Sequence, residues 1–230
     1  MQAALSWGVS RGRLDTNVLL KIGKIHKAER QDMIWSLAEE EHFCGSVPEN
    51  LKVALKIAVW TSARQGDILA MRWSDYDGKY LRFLNSKNNK MMSVPCGKAL
   101  REVLDAAPRK GLFMLLNRYD QPYNSAAFKK SWGDWKKKVG IEGLTFHDLR
   151  GTAVTRLALT GCTHSEIASF TGHSEETIAA MLEKHYRGND PRMADNALAK
   201  FETYAGTIGD QKIDTTFDTR RKNKAKLQTK

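Results

Sequence analysis

One stretch of the chain, residues 144–188, constrains the fold most, because it must form short helices around an unusually polar set of side chains. Its pattern predicts a helix from Asp148, followed by two further helices, the first of them capped by Thr163 and Glu166. The same stretch holds four of the six histidines in the 230-residue chain. A packed apolar core needs no such set, so residues 144–188 are the first candidate for a functional site.

The rest of the chain is also predominantly helical, with one short interval of strand signals. The segments with helical spacing are residues 2–20 (broken at 15–17), 32–44, 51–63, 67–71, 99–107, 126–139 and 191–203. Residues 80–84 and 91–94 instead flank a polar tip, which predicts an antiparallel hairpin. The expected fold class is α+β, mainly α-helical, with a small antiparallel sheet.

Basic residues outnumber acidic ones and favour a polyanionic partner such as nucleic acid. The chain has 37 Lys and Arg residues against 26 Asp and Glu, a formal net charge of +11. Within residues 126–139, Phe128 and Trp132 belong to an apolar stripe that is predicted to face the core. The lysines that surround this stripe are then available to phosphates.

Cysteine use and hydropathy favour the cytoplasm. Cys44, Cys96 and Cys162 are odd in number and widely spaced, which predicts neither a disulfide framework nor a thiolate zinc site. The most apolar run, residues 53–60, is interrupted by Lys56, so no membrane span is predicted. The N-terminal sequence also lacks the pattern of a signal peptide.

The histidines of residues 144–188 do not form a metal-binding pattern. None of them stands four residues from another beside a glutamate, the arrangement found in zinc hydrolases. A serine hydrolase is not supported either, because the chain lacks a Gly-x-Ser-x-Gly turn between a strand and a helix. Neither a metal nor a cofactor is therefore predicted.

Phosphate chemistry fits the pattern better. His147 and Arg150 are three residues apart at a helix start, where the helix dipole and unpaired N–H groups favour an anion. A guanidinium stays charged and can fork onto two phosphate oxygens, and Arg64 could supply a second fork. Two arginines around one phosphate would neutralise the charge of a pentavalent transition state.

Several motifs along residues 35–203 together resemble those of the tyrosine recombinases, also called phage-type integrases. The segment RQGDIL, which begins at Arg64, resembles the first arginine box of the family, and TFHDLR, which ends at Arg150, resembles its His-x-x-Arg box. Lys87 is placed like the family's hairpin lysine. The segment TGHS contains His173, thirteen residues before Tyr186. The resemblance rests on the order and spacing of the whole set.

The resemblance implies six catalytic positions. They are Arg64, Lys87, His147, Arg150, His173 and Tyr186. Tyr186 would attack a DNA phosphate to form a 3′-phosphotyrosyl link, while the two arginines hold the non-bridging oxygens. Lys87 or Lys90, both near the hairpin tip, would protonate the departing 5′-oxygen. His147 would assist proton transfer from the tyrosine, and His173 would hydrogen-bond the phosphate.

The resemblance also implies a domain organisation. Residues 1–30 resemble a remnant of a core-binding domain with a basic linker, and residues 31–205 resemble the catalytic domain. Residues 206–230 are polar and basic and are expected to be a disordered tail. Without most of the core-binding domain, the chain alone is expected to bind DNA weakly, in a salt-sensitive manner, and to recombine poorly.

Double-stranded DNA is the expected partner. The family commonly assembles as a homo-tetramer on DNA through the helix after the nucleophile, and here that helix carries an apolar face with Met193, Leu198 and Phe201. Packing of this face on its own domain is the alternative. A directionality factor is a further expected partner.

The expected function is site-specific recombination, the integration or excision of mobile DNA, by a tyrosine recombinase that needs neither ATP nor a metal. One alternative is a decayed, non-catalytic integrase fragment that binds DNA. The other is relaxation of supercoils, as in type IB topoisomerases. The sequence leaves open the DNA site and the direction of the reaction.

Overall fold

The computed structural model describes residues 2–19, 33–185 and 191–208, and the chain divides into two compact units, Met1–Asp32 and Met33–Lys230. In the first unit, helix α1 (Gln2–Ser10) ends just before Gly12, which has a φ of 64°. Asn17 then donates from Nδ2 to the Ser6 hydroxyl at 2.7 Å. The helix is therefore shorter than predicted, because the residues after it fold back onto its start.

The second unit consists of helices and one hairpin. Its described α-helices and strands are α2 (Leu37–Ser46), α3 (Glu49–Thr61), α4 (Gln65–Ala70), β1 (Tyr80–Asn85), β2 (Lys90–Pro95), α5 (Lys98–Ala106), α6 (Ser125–Lys138), α7 (Asp148–Leu159), α8 (His164–Thr171), α9 (Glu175–His185) and α10 (Pro191–Ile208), and a short 3-10 helix, Trp73–Asp75, lies between α4 and β1. The predicted α+β fold, mainly helical with a small antiparallel sheet, is confirmed.

Helix α3 lies at the centre of this unit. Leu51, Leu55 and Ala58 on this helix have no exposed surface, and the helix packs against α2, α5 and α7. Burial of one leucine side chain stabilises the fold by about 1.5–3 kcal/mol. The apolar spacing that predicts a buried helix here is confirmed, and the helix leads through a short turn to Arg64.

Aromatic side chains around α6 form another part of the core. They are Trp35, Phe43, Phe128, Trp132 and Phe146. The rings of Phe43 and Trp132 are 4.5 Å apart between centroids, and Trp132 meets Phe146 edge to face at 4.8 Å. Phe128 and Trp132 are buried as predicted, whereas Lys129 and Lys130 beside them are exposed.

A buried carboxylate connects three helices. Glu40 on α2 is 3% exposed, and it receives Lys56 Nζ of α3 at 2.5 Å and Arg156 Nη1 of α7 at 2.7 Å. Arg156 also donates from Nη2 to the Trp35 carbonyl at 3.1 Å. Because a buried charge is costly unless it is paired and hydrogen-bonded, these contacts hold α2 against the α3–α7 pair.

Helix α2 begins later than predicted from residue 32. The Ser36 hydroxyl accepts from the Glu39 N–H at 3.1 Å, and the Glu39 carboxylate accepts from the Ser36 N–H at 2.8 Å. This capping box satisfies N–H groups that the first helical turn leaves unpaired, so the helix starts at Leu37. Trp35 fits the apolar spacing of the helix in sequence but precedes it in the structure.

The hairpin has one buried face. Its strands are antiparallel, with Phe83 opposite Met92 and Asn85 opposite Lys90. Phe83, Met92 and Asn85 are all buried, and Asn85 is only 2% exposed. The predicted hairpin is confirmed, and the alternation of its strands places an amide in the interior at the end of β1.

Helices α7, α8 and α9 share a small second core. Its members are Val154, Ala158, Ile167, Ile178 and Leu182. The predicted capping box at the start of α8 is confirmed, since the Glu166 N–H donates to the Thr163 hydroxyl at 3.2 Å and the Thr163 N–H donates to the Glu166 carboxylate at 2.6 Å. Gly172 ends α8 with a φ of 69°. This turn determines where His173 emerges.

Helix α10 runs to Ile208, past its predicted end at residue 203. Lys200 Nζ donates to the Gly161 carbonyl at 2.6 Å, so the helix contacts the α7–α8 turn of its own chain. Leu198 and Phe201 are 56% and 66% exposed.

Of the tail predicted from residue 206, residues 209–230 lie outside the described ranges. No helix within those ranges is long and apolar enough to cross a membrane.

Candidate active site

The turn after α3 creates the first part of the site. Ser62 is fully buried and adopts a φ of 55°, and its N–H donates to the Ala58 carbonyl at 2.9 Å. Its own carbonyl accepts from Arg150 Nη1. A left-handed backbone is costly for a residue with a side chain, so the backbone at Ser62 is strained where a glycine would not be. The turn nevertheless forms, and Arg64 follows it directly.

Arg150 is the most deeply buried cation of the site. It lies on the first turn of α7, is 6% exposed, and donates from Nη1 to the Ser62 carbonyl and from Nη2 to His173 Nε2 at 2.5 Å. Burial and then the charge of Arg64 lower the pKa of Arg150, and Asp67 opposes them, with the result that the pKa is about 10. Arg150 therefore remains charged at neutral pH, and the effect of Arg64 on its pKa shows that the two charges interact.

His173 is held in one tautomer by its two neighbours. The Thr171 hydroxyl donates to the Ile167 carbonyl at 2.7 Å, so toward the ring it can only accept, from His173 Nδ1 at 2.8 Å. Arg150 has only donors, so His173 Nε2 carries the lone pair. Burial and then the charge of Arg150 lower the pKa of His173 to about 4. The imidazole is therefore neutral at neutral pH.

Arg64 is placed by α4 and by the hairpin. It is the N-cap residue of α4, and its Nη1 donates to the Asn85 side-chain oxygen. Asp67, one helical turn later, lies 4.0 Å from Arg64 Nη1 and is 5% exposed. Its other oxygen accepts from the Ser86 N–H at 3.2 Å, which fixes the start of the hairpin turn. Two buried side chains thus connect Arg64 to the hairpin.

The remaining predicted site residues lie around this centre. Lys87 is exposed in the hairpin turn, and its charge contributes to the lowered pKa of His173. Lys90 is exposed at the start of β2. His147 is exposed at the N-cap of α7, and its charge also lowers the pKa of His173. Tyr186 lies outside the described residues, and α9 ends at the residue before it.

Sequence reasoning missed several residues that support this centre. They are Ser62, Asp67, Asn85 and Thr171. Asp67 could have been found from its i, i+3 spacing to Arg64 on a helix. Asn85 falls on the buried face of a strand, and a polar residue there signals a partner in the interior. The bond between Thr171 and His173 depends on the turn geometry of Gly172 and has no sequence signal.

The arrangement is suited to binding a phosphate. Arg64 donates to Asn85, which donates in turn to the Gly172 carbonyl beside His173, and His173 accepts from Arg150. A guanidinium carries a delocalised positive charge that suits phosphate oxygens. Fixed donors of this kind stabilise charge that develops on phosphate oxygens without rearranging. In the parts of the chain that the structure describes, there is no group of three or more His, Cys, Asp and Glu side chains that could hold a metal.

Replacing Thr171 with valine should lower the stability of the fold, while Arg150 still holds the His173 ring in its Nδ1–H tautomer. The valine keeps the shape but leaves a partly buried Nδ1–H without an acceptor, which costs about 1–3 kcal/mol of unfolding free energy. Long-range ¹H–¹⁵N NMR of the imidazole measures the tautomer, and urea unfolding measures the stability. Thr160→Val is the control, because Thr160 is exposed and bonds only within its own turn region. Unchanged stability in Thr171→Val, or a proton on Nε2 of the wild-type His173 ring, would contradict the assignment.

The chain is similar in sequence to a known protein family and to several characterised proteins. Residues 28–190 match the model of the phage integrase family. The shufflon-specific DNA recombinase of Escherichia coli is 30% identical over 177 residues, which cover 74% of this chain and 44% of that protein. The integrase of Escherichia phage lambda is 26% identical over 185 residues, 75% of this chain and 47% of the relative. The chain thus spans about half the length of these curated relatives.

A solved structure shows the same fold. A lambda integrase dimer bound to a COC′ core site superimposes with a TM-score of 0.65 at 22% identity, covering 82% of this chain and 58% of that one. At this level of identity the match establishes the fold alone. It agrees with the mainly helical unit and its small hairpin described above.

Proposed function

The chain belongs to the phage integrase family, and we propose that it carries out site-specific DNA recombination through a covalent 3′-phosphotyrosyl intermediate. The observation that carries the proposal is a pair of arginines, Arg64 and Arg150, with the neutral His173 hydrogen-bonded to the second of them. Helix α9 begins just after His173 and ends at the residue before Tyr186, the proposed nucleophile. A phosphate-binding site followed so closely by a tyrosine favours strand transfer over simple binding.

Arg64 and Arg150 would bind the two non-bridging oxygens of the scissile phosphate. Each guanidinium is held by neutral acceptors, Asn85 for Arg64 and the Ser62 carbonyl for Arg150, so its positive charge is not cancelled by those contacts. The interaction lowers the barrier to the extent that it is stronger for the pentavalent transition state than for the diester.

The proton inventory of the reaction assigns roles to the remaining groups. The Tyr186 oxygen forms a bond to phosphorus and loses its proton, and the bond from phosphorus to the 5′-oxygen breaks as that oxygen gains a proton. Exposed His147 at the start of α7 would take the first proton, and Lys87 in the hairpin turn would give the second, with Lys90 as the alternative donor. One phosphoester replaces another, so no ATP is required.

The neutral state of His173 implies a change when DNA binds. Its Nε2 lone pair is occupied by Arg150 in the free protein. A bound phosphate would attract the Arg150 guanidinium and, being negative, would raise the pKa of His173. The ring could then donate a hydrogen bond from Nε2 to the phosphate while Nδ1–H stays on Thr171.

Double-stranded DNA and further copies of this chain are the proposed partners, in the bacterial cytoplasm or nucleoid. A lambda integrase tetramer bound to a Holliday junction has a TM-score of 0.60 at 23% identity, covering 75% of this chain and 56% of that one. Helix α10 exposes Leu198 and Phe201, an apolar face suited to a neighbouring subunit. The polar contact of Lys200 with Gly161 O would meanwhile keep the helix on its own chain.

Trapping the covalent intermediate tests the proposal. A pool of nicked duplexes with randomised sequence is incubated with the chain at low salt. Because each duplex is nicked, the short fragment released by cleavage diffuses away and rejoining is prevented. Protein that retains DNA after denaturation is recovered, and the attached strands are sequenced to define a substrate. Low salt compensates for a small number of phosphate contacts.

The wild-type chain should form the adduct, and Tyr186→Phe should abolish it because the variant lacks the attacking oxygen. Tyr119→Phe is the control, since Tyr119 is exposed and its hydroxyl accepts from Arg118 Nη2 at 2.5 Å. An adduct that persists in Tyr186→Phe, or relaxation of plasmids that lack the selected site, would contradict the proposal. A footprint without any adduct would instead favour a non-catalytic DNA-binding protein.

A further inference from the structure

The contact between Arg64 and the hairpin extends beyond the two strands. Asn85 accepts from Arg64 Nη1 at its side-chain oxygen and donates from Nδ2 to the Gly172 carbonyl at 3.3 Å. Gly172 directly precedes His173. We propose that Asn85 is a positioning residue that connects Arg64 to the turn bearing His173, so that both halves of the phosphate site keep one geometry. This inference rests on the proposed function.

The surroundings of Asn85 leave its amide no other orientation. The side chain belongs to a residue that is 2% exposed, on the buried face of β1. Arg64 can only donate and the Gly172 carbonyl can only accept, so the amide oxygen must face the guanidinium and the amide nitrogen must face the carbonyl. Because a buried amide is costly when unpaired, the two bonds define a single position for the side chain.

Gly172 is what allows the two elements to approach so closely. A Cβ atom at this position would lie 2.9 Å from Asn85 Nδ2 and 2.9 Å from the sulfur of Met92. The residue also has a φ of 69°, which side-chain-bearing residues adopt at a cost. The turn before His173 is therefore packed directly onto the buried face of the hairpin, with Asn85 at the contact.

An amide suits this position better than a carboxylate. Arg64 already has the buried carboxylate of Asp67 at 4.0 Å. A second carboxylate against the guanidinium would compete with the phosphate for Arg64, and it could not donate to the Gly172 carbonyl. Asn85 thus orients Arg64 without neutralising it, and it satisfies Gly172 at the same time.

The test compares Asn85→Asp and Asn85→Leu with the wild-type chain on the DNA substrate selected above. Asn85→Asp should slow adduct formation by about 10²–10³-fold, comparable to loss of one transition-state donor. Lowering the pH should restore part of this rate relative to wild type, because the protonated carboxyl group can donate to the Gly172 carbonyl and accept from Arg64. Asn85→Leu should be similarly slow without the acid rescue.

Asn124→Asp is the matched control. Asn124 is exposed and caps α6 by accepting from the Ala127 N–H at 2.8 Å, a role that aspartate also fills. The control adds the same negative charge at an exposed helix cap, and its adduct rate should stay within a few-fold of wild type. Wild-type rates in both Asn85 variants, with no pH effect in Asn85→Asp, would overturn the proposal.

An NMR measurement tests the positioning without any cleavage. The bond to Asn85 should restrict rotation of the Arg64 guanidinium, which gives separate Nη signals in the wild-type chain and averaged signals in Asn85→Leu. Averaged signals already in the wild type would overturn the proposal, even if the Leu variant fails to fold. Absence of an adduct with the wild type but restricted Arg64 signals would reject the proposed function and retain the role of Asn85.

Discussion

Substitution of Arg150 by lysine is expected to slow covalent adduct formation by at least about 10²–10³-fold, the loss that follows removal of one transition-state donor. Arg150 has its Nη1 on the Ser62 carbonyl and its Nη2 on His173, a planar arrangement that an ammonium cannot reproduce. Burial would also lower the pKa of a lysine at this position and so weaken its charge. Both effects reduce stabilisation of the phosphate.

Single-turnover cleavage of the selected nicked substrate measures this loss. Arg118→Lys is the control, because Arg118 is exposed and its guanidinium lies against the exposed Tyr119. The His173 pKa, followed by NMR, provides a second readout, since the charge of Arg150 is one cause of its low value. A cleavage rate within a few-fold of wild type in a folded Arg150→Lys variant would contradict the role assigned to this arginine.

Replacement of Glu40 with alanine is expected to lower the free energy of unfolding by about 2–4 kcal/mol, near the cost of leaving buried charges without a partner. Lys56 and Arg156 would both lose their shared carboxylate. Their side chains are 18% and 28% exposed, so water compensates part of the loss and the estimate lies below that for a fully buried pair. Helix α2 should loosen first, because Glu40 is its charged contact with α3 and α7.

Urea unfolding of Glu40→Ala and wild type measures this difference, provided that the m-values agree. Glu49→Ala is the matched control, since Glu49 also pairs with a lysine, at 3.5 Å, but the two side chains are 41% and 33% exposed. Such a surface pair contributes only about 0–1 kcal/mol. If the two variants lost the same stability, burial of Glu40 would not be the source of its contribution.

The sequence predicts the helices whose apolar spacing is strong and whose ends carry caps. Helix α3 and the capping box of α8 follow from local patterns, and so does the alternation of the hairpin strands. The start of α2 does not, because Trp35 continues the helical spacing while packing outside the helix. Local sequence patterns therefore predict the bounds of these elements, except where a residue that fits the pattern packs in the core outside the element.

The site likewise has residues that the sequence predicts and contacts that it does not. The spacing of His147 and Arg150 and the order of the motifs identify the charged residues in advance. The supporting contacts join residues far apart in sequence, such as Asn85 with Gly172, and the register of the packed elements determines them. The protonation state of His173 was also beyond prediction, because it depends on a threonine two residues earlier and a guanidinium from another helix.

The central claim is that this site makes a covalent bond between Tyr186 and a 3′-phosphate. Proteolysis of the trapped adduct, followed by mass spectrometry of the DNA-linked peptide, tests it most directly. We predict that the link lies on Tyr186, that the DNA is attached through its 3′ end, and that the released fragment carries a 5′-hydroxyl. Attachment to any other residue, or through a 5′-phosphate, would contradict the account.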